Sequence, residues 1–255
     1  MREIEYKASK ALKHSNFQKL KYIGKCLLIN ENEKKIIVIG DLHLGYEEAL
    51  RERGVFIGTK MLEEYKKYLD RIFKKTRKVD EIVLLGDVKH VIGGIANSEW
   101  NEILGFLDYL KEYCRKIVIV RGQHDVILGP ILKKREEIML EEYYVNGKYA
   151  FVHGDKRKEE IEKKEIKIWV MGNGHPAIKI TDGTKNEKYK CFLVGKFEGK
   201  EIIICPSFIE ANEGTDPREH DLGMGWEFNY NKFEVIIVGE DLEDLKFGKL
   251  EKIKE

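Results

Sequence analysis

Short runs of β-branched and other apolar residues recur along the chain. The first three, at residues 36–39, 82–85 and 117–120, contain no polar side chain. A strand with one wet face alternates apolar and polar residues, so an unbroken apolar run of this length predicts a strand covered on both faces. Between these runs the period lengthens to that of a helix. Thr59 is placed to cap a segment with Met61, Leu62, Tyr65, Leu69, Ile72 and Phe73 on one face. Asn97 or Ser98 is placed to cap a second, carrying Trp100, Ile103, Leu104, Leu107, Leu110 and Cys114. Strand, helix, strand, helix, strand in succession predicts parallel pairing. Further runs at 149–152, 166–171, 192–194, 202–204 and 233–238 follow without helices between them, which predicts a more antiparallel second half.

At 255 residues the chain suffices for one sizeable core, and a single domain over 1–255 is expected. Lysine plus arginine (46) nearly cancel aspartate plus glutamate (45), so no global charge draws the protein to nucleic acid or membrane. Residues 1–25 are locally basic, with seven basic and two acidic side chains, and read either as an arm for nucleic acid or, as is more often the case, as a solvated N-terminal extension. The abundance of Lys and Glu, with two glutamines in the whole chain, resembles heat-adapted proteins. Cys26, Cys114, Cys191 and Cys205 show no paired spacing and are expected as reduced thiols. No stretch approaches the roughly 20 apolar residues that span a bilayer, and the first residues lack a signal-peptide pattern, so a soluble, cytoplasmic protein without membrane contact is expected.

The chemistry sits where the apolar runs end. Gly40-Asp41-Leu42-His43, Gly86-Asp87, Gly122-Gln123-His124-Asp125, His153-Gly154-Asp155 and Gly172-Asn173-Gly174-His175 each follow such a run. Strand C-terminal ends are where open α/β sheets collect ligands, and carboxylate with imidazole is a natural donor set for divalent first-row metals. Any one motif alone is ordinary: Gly-Asp often makes a turn, and a lone histidine is usually a packed or surface residue. Their order and common placement predict one metal site. Neither a phosphate-binding G-x-x-x-x-G-K-[ST] loop nor a G-x-S-x-G nucleophile turn is present.

This order of motifs resembles the calcineurin-like metallophosphoesterase superfamily. Residues 40–47, 86–90 and the terminal His175-Pro176-Ala177 resemble its ICC-like, DNA ligase-associated branch. The resemblance implies a four-layer α/β/β/α sandwich of two mixed sheets flanked by helices, with up to two metal ions at the strand ends. Asp41, His43, Asp87 and His175 would hold the first ion. Bridging Asp87, Gln123, His153 and Asn173 would hold the second. Here the chain departs from the family, with Gln123 in place of Asn and Asn173 in place of His. Gln123 carries its oxygen one methylene further out, and Asn173 replaces a nitrogen donor with an oxygen. A weakened second site is expected, favouring manganese, with iron, nickel, magnesium and zinc as alternatives.

The resemblance further implies a phosphodiesterase that uses metal-activated water for in-line attack on phosphorus. His124 would assist the leaving group, and Asp125 would orient His124. The substrate would be a phosphodiester, with nucleic acid and nucleotides among the candidates. Lys89, Arg121 and Arg157 lie beside the motifs as candidate phosphate holders, while His90 and Asp155 are candidate supports for the ligands. The competing expectation is a degenerate member that binds nucleic acid or a repair complex without hydrolysis. The charged stretch 156–167 is expected as an exposed helical turn or lid, and 207–225 as a long functional loop.

Overall fold

The computed structural model describes residues 20–94, 97–132, 135–182 and 185–253. Residues 1–19, most of the expected basic extension, lie outside them. From Leu20 the extension is already sheet: β1 (Leu20–Ile23) and β2 (Cys26–Glu31) form a hairpin leading into β3 (Lys34–Ile39). Then follow β4 (Val79–Leu84), β5 (Cys114–Val120) and β6 (Ile138–Glu141). These six make one sheet in the order β1-β2-β3-β4-β5-β6, antiparallel as far as β3 and parallel from β3 onward.

The second sheet is built from β7 (Tyr144–Asn146), β8 (Tyr149–Val152), β9 (Ile168–Met171), β10 (Ala177–Asp182), β11 (Lys185–Phe197), β12 (Lys200–Ile204), β13 (Glu234–Val238) and β14 (Asp244–Lys249). Its order is β14-β13-β11-β12-β9-β8-β7, with β10 paired to β11. Strands β8, β9 and β12 run parallel, and the other pairings are antiparallel. The mixed α/β sandwich expected from the sequence is therefore present.

Strict alternation divides the continuous apolar runs between two cores. Ile37, Ile39, Ile82, Leu84, Ile117 and Ile119 face the helices Met61–Thr76 and Asn97–Lys111. Their neighbours Ile36, Val38, Val83, Val118 and Val120 face the second sheet, where Phe151, Val170, Phe192 and Ile203 meet them. A third cluster covers the outer face of the second sheet, but its lid is thin. Ile161 from the 3-10 turn Glu159–Ile161, with Leu222, Trp226 and Phe228 from loops, packs on Trp169 and Ile204. The stretch 156–167 is thus a pinned cover, since Ile161 is fully buried and its carbonyl accepts the Trp169 indole N–H at 2.9 Å.

Two details of the helices differ from the sequence expectation. Thr59 does not cap the helix Met61–Thr76; the Glu47 carboxylate, from the helix Tyr46–Glu52, accepts the backbone N–H groups of Lys60 and Met61 at 2.8 and 3.0 Å. Cys114 is not on the second helix, which ends at Lys111; strand pairing with Val79 draws it into β5. The four cysteines are free thiols, three of them buried. Among the described residues, no helix is long and apolar enough to cross a membrane.

Candidate metal centre

Two parallel strand trios end at the same edge. Asp41 and His43 follow β3, Asp87 follows β4, and Gln123 to Asp125 follow β5. From the facing sheet, His153 follows β8, and Asn173 and His175 follow β9. The turns interlock through the backbone: the amides of Leu42 and His43 both donate to the Asp87 carbonyl, at 3.2 and 2.8 Å, and Phe208 N–H donates to the Asp41 carbonyl at 2.7 Å.

Four of these residues leave their strands through the left-handed region: His43 (φ 50°), Asp87 (φ 45°), Asn173 (φ 60°) and His175 (φ 42°). A non-glycine residue there costs on the order of 1–3 kcal/mol, and such strain tends to gather at functional sites. Here it lets His43, Asp87 and His175 reach the groups at the sheet edge. The glycines beside them leave the room. A Cβ on Gly122 would lie 2.3 Å from Asp87 Oδ1 and 2.5 Å from Asp87 N; one on Gly86 would lie 2.6 Å from His153 Nδ1. Gly122→Ala is accordingly expected to displace Asp87, weakening manganese binding at least tenfold and lowering stability by ~1–3 kcal/mol. Calorimetric titration and thermal unfolding measure the two effects.

Asp41, Asp87, His43 and His153 are buried. Asp41 Oδ1 stands 3.3 Å from His175 Nε2 and 3.7 Å from His153 Nδ1; Asp87 Oδ2 stands 3.5 Å from His153 Nε2 and 3.8 Å from His43 Nε2. Three donor groups result: Asp41 with His43 and His175, Asp41 with Asp87 and His153, and, at the rim, His43 with His90 and His124. His153 donates Nδ1–H to the Leu85 carbonyl at 2.7 Å, which turns Nε2 toward the carboxylates; that buried nitrogen makes no hydrogen bond. A ligand histidine is commonly fixed this way by a carbonyl on its other nitrogen, and a buried ring nitrogen without a partner is costly unless a cation fills the gap. The residues present fit divalent metal. Leu85, and not Asp155, is the group that orients His153.

Charge in the cage is strongly coupled. Burial alone would raise the Asp41 carboxyl, but His175, His153 and His43 hold it below the usual carboxylate range. Burial likewise opposes ionisation of Asp87, and His153 reverses the effect. Burial would discharge His153 too, yet the Asp87 and Asp41 carboxylates prevail and push it up to about 10. Burial takes His43 the other way, down to about 4, against the pull of both carboxylates. A neutral His43 imidazole beside ionised aspartates is the form a cation needs.

The remaining candidates are placed less centrally. Gln123 is exposed and lies with His153 in a hollow of about 350 Å³ behind the cage. Asn173 turns its side-chain amide to the Gly223 carbonyl at 2.7 Å, while its backbone N–H donates to both Asp41 oxygens at 3.1 Å. His124 stands at the opposite rim, its Nε2 3.8 Å from Asp87 Oδ2 and its backbone N–H bonded to Asp87 Oδ1 at 3.0 Å. Buried Asp125 binds the backbone amides of Gly122 and Val88, at 3.0 and 2.9 Å, so it shapes the loops under His124. Burial pushes its carboxyl up to about 6 although the Gly122 and Lys89 amides favour the charged form. The ring of His124 instead donates Nδ1–H to the His90 carbonyl.

None of the three phosphate holders expected from sequence faces the cleft. Lys89 is fully buried beside Glu99; Arg121 pairs with Glu142 at 3.0 Å; exposed Arg157 pairs with Glu162 at 2.7 Å. The cleft over the cage, about 630 Å³, is lined by His43, His90, His124, His175, Lys188 and Asn212 among others. Lys188 is the one lysine or arginine among those lining residues, and it was invisible in the sequence because it lies on a polar strand far from any motif.

A family model described as calcineurin-like phosphoesterase matches residues 34–242. No curated protein sequence matches the chain. Among solved structures, a nuclease MPE from Pseudomonas putida shares the fold with a TM-score of 0.57 at 16% identity, covering 86% of this chain and 100% of that one. Wild-type Vps29 complexed with zinc, from Entamoeba histolytica, matches with a TM-score of 0.40 at 16% identity, over 84% of this chain and 99% of that one.

Proposed function

Because the chain belongs to the calcineurin-like phosphoesterase family, we propose that it is a divalent-metal-dependent phosphodiesterase. The observation that carries this reading is the pairing of a carboxylate–imidazole cage with a further imidazole at its rim: Asp41, Asp87, His43, His153 and His175 in the cage, His124 beside it. A purely structural metal site closes around its ion and has no use for an imidazole held facing a cleft. When bound, divalent metal supplies charge that lowers the pKa of water and neutralises phosphoryl oxygens. Manganese suits a donor set mixing oxygen and nitrogen.

The chain's own groups do the rest. Asp41 and Asp87 supply the anionic cage, and the Leu85 carbonyl keeps His153 Nε2 turned into it. His124, with Nδ1–H held by the His90 carbonyl, presents Nε2 to the cleft, where its protonated form gives a proton to the leaving alkoxide as the P–O bond breaks. Gln123 and Asn173 stand as weak partners of a second ion: the first is exposed, and the second spends its amide on Gly223. A nuclease among the fold's relatives accords with a phosphodiester substrate. Four free thiols accord with a reducing compartment.

Hydrolysis of bis-p-nitrophenyl phosphate, with manganese and with excess chelator, tests the reading. Turnover that appears with the metal and vanishes with the chelator supports it; equal background in both sinks it. Lys188 is the cation placed to meet a substrate's next phosphate. Lys188→Ala is expected to raise KM for a short oligonucleotide about tenfold (~1.4 kcal/mol) with kcat unchanged, and to reduce the salt slope by about one. A fall in kcat at constant KM would place Lys188 elsewhere in the reaction.

A further inference from the structure

Glu99, in the first turn of the helix Asn97–Lys111, is 1% exposed. Its Oε1 accepts the backbone N–H groups of His90 and Val91 at 2.8 and 3.0 Å. Its Oε2 lies 3.8 Å from Lys89 Nζ, and the fully buried Lys89 also donates to the Val91 carbonyl. One buried ion pair therefore binds the backbone of two successive residues of the turn, His90 and Val91. From the middle of that turn, the His90 carbonyl accepts Nδ1–H of His124. A carbonyl only accepts, so this contact fixes the proton on Nδ1 and leaves Nε2 to face the cage.

We infer that the Lys89–Glu99 pair is a positioning device for His124, acting through the His90 carbonyl to set the ring's tautomer and direction. Stability alone is a poor reason to keep such a pair, because two well-packed apolar side chains of similar volume commonly serve as well or better. Apolar side chains cannot bind two adjacent amides, and those bonds aim the carbonyl between them. A charged pair with no exposure, touching neither cage nor cleft, is thereby connected to the reaction.

The inference rests on the hydrolytic reading for the role of His124, so its test carries a readout independent of turnover. Glu99→Gln alone strands a buried lysine and invites unfolding, so neutral double variants are used. Lys89→Met with Glu99→Leu removes charge and acceptor; Lys89→Met with Glu99→Gln removes charge but keeps an oxygen for the amides. The first is expected to lower kcat for a short oligonucleotide, whose leaving group is an alkoxide, with manganese at least tenfold, with KM and manganese affinity within twofold of wild type. The second is expected to recover most of that loss. In the metal-free protein at pH 8, nitrogen-resolved NMR of the imidazoles should show His124 as Nδ1–H in wild type and in the Gln variant, and as a tautomer mixture in the Leu variant. If the Leu variant keeps the wild-type tautomer, or matches wild-type kcat, the inference is overturned. If wild type shows no turnover while the tautomer still changes, the positioning stands and the hydrolytic reading falls alone.

Discussion

Replacing Asp87 with asparagine is expected to abolish manganese-dependent diester hydrolysis while leaving the fold in place. Asparagine keeps an oxygen where Asp87 Oδ1 accepts the His124 backbone N–H at 3.0 Å, so the loop has little reason to move. What is lost is the charge. Asp87 Oδ2 lies close to three imidazoles, 3.5 Å from His153, 3.8 Å from His43 and 3.8 Å from His124. Loss of a mere supporting partner typically costs 10–100-fold in affinity or activity, so removal of a central carboxylate should exceed ~100-fold. Manganese titration beside steady-state rates measures it. Binding and turnover within tenfold of wild type would remove Asp87 from the centre.

His124→Ala is expected to separate binding from chemistry. Its imidazole belongs to the rim trio with His43 and His90 and to neither group built on Asp41, so manganese affinity at the carboxylate groups should change little. Without its proton the leaving alkoxide departs unassisted, and kcat should fall by about 10²–10⁴. The effect should be smallest for p-nitrophenyl esters, whose leaving group is already a stable anion, and largest for alkyl diesters. Equal losses for both leaving groups would argue that His124 acts on the phosphoryl group instead of the departing oxygen.

The parts legible in the sequence were those whose signal is local. Strands β3, β4 and β5 are covered on both faces, so their apolar runs are unbroken and announce themselves. Strand β14 is exposed along its whole length and is held by pairing with β13, so its Leu245 and Phe247 mark no core. The hairpin β1–β2 was hidden for another reason: Leu20 to Lys25 sit in a basic segment that reads as solvated, although Lys25 is buried and bound to the Phe208 carbonyl at 3.0 Å. No local pattern says that Glu47 will cap a helix starting at residue 61.

The same division runs through the site. Motif order announced Asp41, His43, Asp87, His153 and His175, which the structure brings to one edge. Side-chain heading was not announced. Asn173 points where Gly223, fifty residues on, offers a carbonyl, and Gln123 ends in the hollow behind His153. Lys89 looked like a phosphate holder because it follows a motif, yet its charge is spent inside on Glu99. Buried carboxylates such as Glu99 carry no sequence mark, since an acid in the first turn of a helix is common for reasons of the helix dipole alone.

Diffraction from crystals soaked in manganese, recorded at the manganese absorption edge, tests the central claim most directly. The account predicts a strong anomalous peak among Asp41, His43 and His175, and a weaker one beside Asp87 and His153 that rises with manganese concentration. Crystals that bind manganese elsewhere, with no peak at either position, would contradict it.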